Sequence, residues 1–147
     1  MNNNFDDVLS SRGIVTCKLD NFDLVNSLKA KIIDVLQNSF KISISELDEF
    51  HKFITPTELN NVRLKLALSL NEKSYASDLI YSKLNNILRV LLGPDIAIQK
   101  NVGLSIQTPG DSSSLLHIHS DVYDSDCSPY EIVIWIPLVH CYSTKSM

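Results

Sequence analysis

The residues best equipped for chemistry are His117-Ile118-His119-Ser120-Asp121. An extended segment sends every second side chain to the same side. His117, His119 and Asp121 then share one face, and Ile118 and Val122 share the other. An imidazole and a carboxylate two positions apart on a strand can fill adjacent coordination positions of one metal ion. Completed by a distant histidine, such a pair forms the two-histidine, one-carboxylate site that leaves positions open on non-haem iron. All three of these side chains on one flat strand would span about 13 Å, so His117 is expected beside the ion rather than on it.

The bare spacing is a weak signal. Four histidines and twelve aspartates in 147 residues give roughly 0.3 His-x-Asp matches by chance. A polar strand face explains an isolated match equally well, so the surroundings decide. The motif follows the Pro109-Gly110 turn. It lies between apolar β-branched runs and precedes the acidic loop Asp124-Ser125-Asp126-Cys127.

The elements that must position it fall into two halves. Up to Gly93 the apolar residues recur with helical spacing. Val25, Leu28, Ile32, Val35 and Leu36 mark one helix face. Thr55-Pro56-Thr57-Glu58 reads as a capping box with proline at the first helical position, opening a helix to about Leu70. A further helix is expected from near Ser74, with Leu79, Ile80, Leu84, Ile87, Leu88 and Leu91 facing inward and Gly93-Pro94 ending it. A short helix is expected from Ser45-Glu46 through Phe50 and Phe53. From Pro94 the period becomes two, and strands are expected at 96–99, 103–107, 115–122 and 131–139, after an opening strand at 14–19. The expected fold class is α+β: a single domain over 1–147, with a mainly helical part (1–93) packed on strands (94–147) that carry the motif.

Composition limits the function classes. Apolar residues make up 44% and charged residues 20%, with a net charge of -4. Lysine and arginine are scattered, which argues against nucleic acid as a partner. No apolar run approaches the roughly 18 residues of a membrane span, and the polar N-terminus lacks a signal-peptide pattern. Cys17, Cys127 and Cys141 form no Cys-x-x-Cys pair, which suggests a reducing, cytoplasmic setting. Asp124 and Asp126, Ser112 to Ser114 and Lys145 are read as ordinary loop, turn and surface residues, and His51, among Phe50, Phe53 and Ile54, as a partly buried helix histidine without chemistry.

A longer run adds specificity. Gln107-Thr108-Pro109-Gly110-Asp111, His119-Ser120-Asp121, Ser128-Pro129-Tyr130-Glu131, Trp135-Ile136-Pro137-Leu138 and Thr144-Lys145-Ser146-Met147 cover about the last 40 residues. Together they resemble the central segment of the phytanoyl-CoA-dioxygenase-like branch of Fe(II)/2-oxoglutarate oxygenases. They are closer still to small bacterial oxygenases encoded within carbohydrate-biosynthesis clusters. The resemblance implies a double-stranded β-helix (jelly roll), here incomplete. It also implies Fe(II) as cofactor, 2-oxoglutarate as co-substrate, and a small-molecule or glycan substrate. His119 and Asp121 would be iron ligands, Gln107 and Trp135 would line the co-substrate pocket, and His117 would stand next to the ligands.

The family's third ligand is a histidine on a later strand, followed by a basic residue for 2-oxoglutarate. Only His140 follows Asp121, at the end of the next expected strand. The expectation is therefore a partial domain, aggregation-prone and catalytically inactive alone. The competing class is a sugar-binding or isomerase-type cupin using the His117/His119 pair. Its usual glutamate is absent, because positions 123 and 124 are Tyr and Asp.

Overall fold

The computed structural model describes residues 5–19, 22–111 and 131–142. Four α-helices organise them: α1 (Phe5–Arg12), α2 (Asp23–Phe40), α3 (Pro56–Asn71) and α4 (Tyr75–Leu92). Short 3-10 segments occupy Leu47–Lys52 and Glu72–Ser74.

Each long helix forms where apolar spacing allows one face to be covered. α2 buries Leu24, Leu28, Ile32, Val35 and Leu36, and α3 buries Leu59, Val62, Leu66 and Leu70. α4 contributes Ala76, Ser77, Leu84 and Leu88. These stripes meet with Ile44 and Phe50 in one core. Burying a leucine side chain stabilises by about 1.5–3 kcal/mol, so the helical stripes are the main source of cohesion.

The helix ends follow local chemistry. At α3, the Thr55 backbone N–H donates to Glu58 Oε2 at 3.2 Å and the Thr55 hydroxyl donates to the same oxygen at 2.6 Å. α2 ends at Lys41, which adopts a left-handed conformation (φ 60°). There the Ile42 N–H reaches back to the Leu36 carbonyl at 3.1 Å, the wrapped ending usually built on glycine. Gly93 (φ 88°) stops α4. Between α3 and α4 the corner is tight, with Lys73 and Ser74 both at positive φ.

The expected jelly roll is not what forms: among the described residues there is no β-strand. The segments at 14–19, 96–99, 103–107 and 131–139 join no sheet there, and the expected strand at 115–122 lies outside the described residues. The period-two pattern is nonetheless expressed. Val102, Leu104 and Ile106 are partly buried against the helical core while Gly103, Ser105 and Gln107 are exposed. Val15, Cys17 and Leu19 alternate in the same way. Alternation specifies an extended chain with one covered face. Here the cover is helical, so no β-ladder is needed. The first helix, α1, was not expected: it is short, lacks a strong apolar stripe, and rests against α4.

No helix among the described residues is long and apolar enough to cross a membrane.

Candidate functional site

α3 is the platform from which the chain runs toward the candidate motif. Residues 102–111 lie along it, held at two places. Asn71 engages both backbone groups of Val102. Its Oδ1 accepts the Val102 N–H at 2.7 Å, and its Nδ2 donates to the Val102 carbonyl at 3.0 Å. Farther along, Arg63 Nη2 donates to the Ile106 carbonyl and lies 3.5 Å from Asp111 Oδ2.

The spacing of these anchors explains the register. Along the helix axis, Arg63 and Asn71 are roughly 12 Å apart. Val102 and Ile106 are roughly 13 Å apart in extended chain. The two lengths agree, so one helix face can hold both points without kinking the segment. The segment runs antiparallel to α3 and places Val102, Leu104 and Ile106 between the anchors, against the core. Partly buried backbone groups that lack a strand partner need another one. Asn71 and Arg63 provide it.

The Arg63–Asp111 pair is partly sheltered, with side-chain exposures of 23% and 19%. It holds the last described residue before the candidate motif. On the far side, residues 131–142 return to the core through Ile136 and Leu138.

The expected site residues fall as follows. His117, His119 and Asp121 lie outside the described residues. Gln107 is exposed at the end of the α3-bound segment. Trp135 is 49% exposed, next to Val133 at 64%, on the side away from Ile136 and Leu138. His140 is exposed. His51, expected to be partly buried, is exposed, and its Nδ1 lies 2.9 Å from the Asp48 carbonyl oxygen. Among the described residues, no group of three or more His, Cys, Asp or Glu side chains could hold a metal ion.

Cys17 is partly buried, and desolvation pushes its thiol above the usual range. This disfavours the reactive thiolate. Cys141 donates to the Val139 carbonyl at 3.4 Å. Neither geometry suggests a nucleophile.

Known proteins offer no assignment. The chain matches no family model, no curated protein and no solved structure.

The residues that sequence reasoning missed are Arg63, Asn71 and Asp111. Their partners lie 31 to 48 positions away, beyond any periodic pattern. The one local sign was Asp111 itself, directly after the Pro109-Gly110 turn.

Proposed function

We propose that this chain contributes His119 and Asp121 as ligands for Fe(II) in a 2-oxoglutarate-dependent oxidation of a carbohydrate or sugar-linked substrate. The observation that carries the proposal is the His119-Ser120-Asp121 pair within the 107–147 run, flanked by Gln107 and Trp135. The proposal rests on the donor chemistry of these residues and on the resemblance of the run, not on a jelly-roll scaffold.

The donor set suits the ion. A neutral imidazole and a carboxylate are the ligand types that non-haem Fe(II) takes, leaving room for a bidentate co-substrate. With iron bound, the chemistry supplied would be oxidative decarboxylation of 2-oxoglutarate by dioxygen to succinate and carbon dioxide, one oxygen atom going to succinate and the other to the oxidised substrate C–H bond. The chain's own contribution is placement. Asp121 brings negative charge to the cation, His119 a neutral nitrogen, and His117 a neighbouring polar group. The α3-bound segment 102–111 leads into the motif, and Ile136 and Leu138 secure the chain after it.

The test is an anaerobic titration of the 147-residue chain with Fe(II), or with Co(II) as a spectroscopic stand-in, with and without 2-oxoglutarate. One ion per chain is expected, held more tightly when 2-oxoglutarate is present. His119→Ala and Asp121→Ala should each weaken binding by at least about tenfold. Equal binding by both variants and the parent would remove the proposal.

A further inference from the structure

The outer face of α3 carries a pattern that its inner face does not require. Asn61, Leu64, Lys65 and Leu68 form its solvent stripe, and Glu72, the residue that caps the C-terminal end of the helix, continues it. Two leucines at helical spacing on that stripe, Leu64 and Leu68, are 60% and 61% exposed. Leu68 also lines the groove between α2 and α3, together with Lys31, Asp34, Lys65, Ser69 and Glu72. A polar outer stripe is the ordinary arrangement for a helix covering a core. Two exposed leucines at i and i+4 depart from that arrangement.

The charges around Leu68 identify what fits there. Lys65 stands about one turn before it and Glu72 about one turn after it, and both are exposed on the same stripe. A two-fold axis through Leu68 reverses the helix direction. It lays Leu68 against its own copy, and each Lys65 opposite the Glu72 of the other chain. The pattern is therefore complementary to itself when inverted, as a two-fold interface requires.

We propose that α3 is a homodimerisation face, two copies of this chain crossing antiparallel at Leu68 with reciprocal Lys65–Glu72 pairs. Leu64 extends the apolar contact along the helix, and Lys31 of α2 borders the groove that receives the second α3. The 102–111 segment is bound by Arg63 and Asn71, to one side of the outer stripe, so dimerisation leaves it in place. The net charge of -4 per chain opposes association only weakly, because salt screens beyond about 8 Å at physiological ionic strength. The short reciprocal pairs decide the register instead.

Sedimentation velocity of the full chain over a wide concentration range tests the proposal, with helical circular dichroism confirming that each variant is folded. The parent should show a monomer–dimer equilibrium. Leu68→Glu should leave only monomer. Lys65→Glu and Glu72→Lys should each weaken association by about tenfold, because each places like charges across the axis. The double variant K65E/E72K restores opposite charges across a two-fold axis and should recover dimerisation. A parent that is monomeric at every concentration overturns the proposal. So does a dimer indifferent to Leu68→Glu, or one in which the double charge exchange is no better than either single change. A chain that stays monomeric while Leu68→Glu abolishes binding of a different protein would assign the face to that protein and overturn the self-pairing.

Discussion

The side chain of Asn71 pairs with both backbone groups of Val102, accepting its N–H at 2.7 Å and donating to its carbonyl at 3.0 Å. The same Nδ2 also donates to the Ala67 carbonyl on its own helix, at 2.9 Å. One amide thus fastens an extended segment to a helix in the way a neighbouring strand would. Both ends of the exchange are partly buried, so losing the partner strands two backbone polar groups.

Asn71→Ala is expected to destabilise the chain by about 2 kcal/mol, the usual penalty for unpaired, poorly solvated polar groups. Asn71→Asp keeps an acceptor for the Val102 N–H but sets a carboxylate against the Val102 carbonyl, so it should not rescue stability. Urea denaturation gives the cost, and amide exchange at Val102 locates it. Unchanged protection of the Val102 amide in Asn71→Ala would show that the pairing does not hold the segment.

Glu58 supplies a pH-dependent contribution. The Thr55 hydroxyl, and then the Thr55 backbone N–H, hold its carboxylate below the usual range. A depressed carboxylate adds stability above its unfolded pKa of about 4.3, and that increment disappears as pH falls through the folded value. Thr55→Ala removes the hydroxyl, so the Glu58 pKa should rise toward the ordinary value while helix stability drops by about 1 kcal/mol at neutral pH. An NMR titration of Glu58 reads the first effect and thermal unfolding the second. A Glu58 titration unmoved by Thr55→Ala would contradict the hydrogen-bond assignment.

The capping box shows which parts of the fold are legible in a sequence. Thr55, Pro56 and Glu58 act within one turn, so their spacing alone places the start of α3 at Pro56. Leu28, Ile32, Val35 and Leu36 likewise mark the buried face of α2, and Gly93 the end of α4. The alternation of Val102, Leu104 and Ile106 also survives as alternating burial. It could not say whether a strand or a helix would cover the inward face. Asn71 and Arg63 settle that through bonds between distant positions, and a single periodic pattern holds no record of them. Of the candidate site, Gln107 and Trp135 fall within the described residues, and both are exposed. His119 and Asp121 were legible as a chemical pair because ligand chemistry depends on residue type and spacing. Their setting depends on long-range packing.

Lys41 offers a gain in stability. It ends α2 with φ 60° and ψ 23°, a conformation that costs a residue with a β-carbon roughly 1 kcal/mol and glycine almost nothing. Its ammonium donates to the Asn38 carbonyl at 3.2 Å on the exposed surface, a contact that contributes little. Lys41→Gly should raise stability by about 0.5–1 kcal/mol. Lys41→Ala, which loses the surface contact without gaining backbone freedom, should not. Chemical denaturation of the pair distinguishes the two effects, and equal responses would rule out relief of the left-handed backbone as the cause.

Arg63 donates to the Ile106 carbonyl as well as pairing with Asp111, and this predicts unequal costs for the two side chains. Arg63→Met removes both the donation to the Ile106 carbonyl and the ion pair with Asp111. Asp111→Asn keeps the Ile106 bond and most of the local shape. Arg63→Met should therefore cost about 1–2 kcal/mol, as expected for a charge-assisted bond to a partly buried carbonyl. Asp111→Asn should cost less than about 1 kcal/mol, since the pair is still solvent-accessible at 3.5 Å. In a double-mutant cycle the coupling between the two positions should be smaller than the Arg63→Met effect itself, because the Ile106 contribution is not shared with Asp111. Hydrogen exchange should follow the same order, with Arg63→Met loosening residues 104–111 and Asp111→Asn loosening mainly position 111. If the two substitutions had equal effects at Ile106, the carbonyl bond would not be the principal anchor and the ion pair would have to carry the register alone.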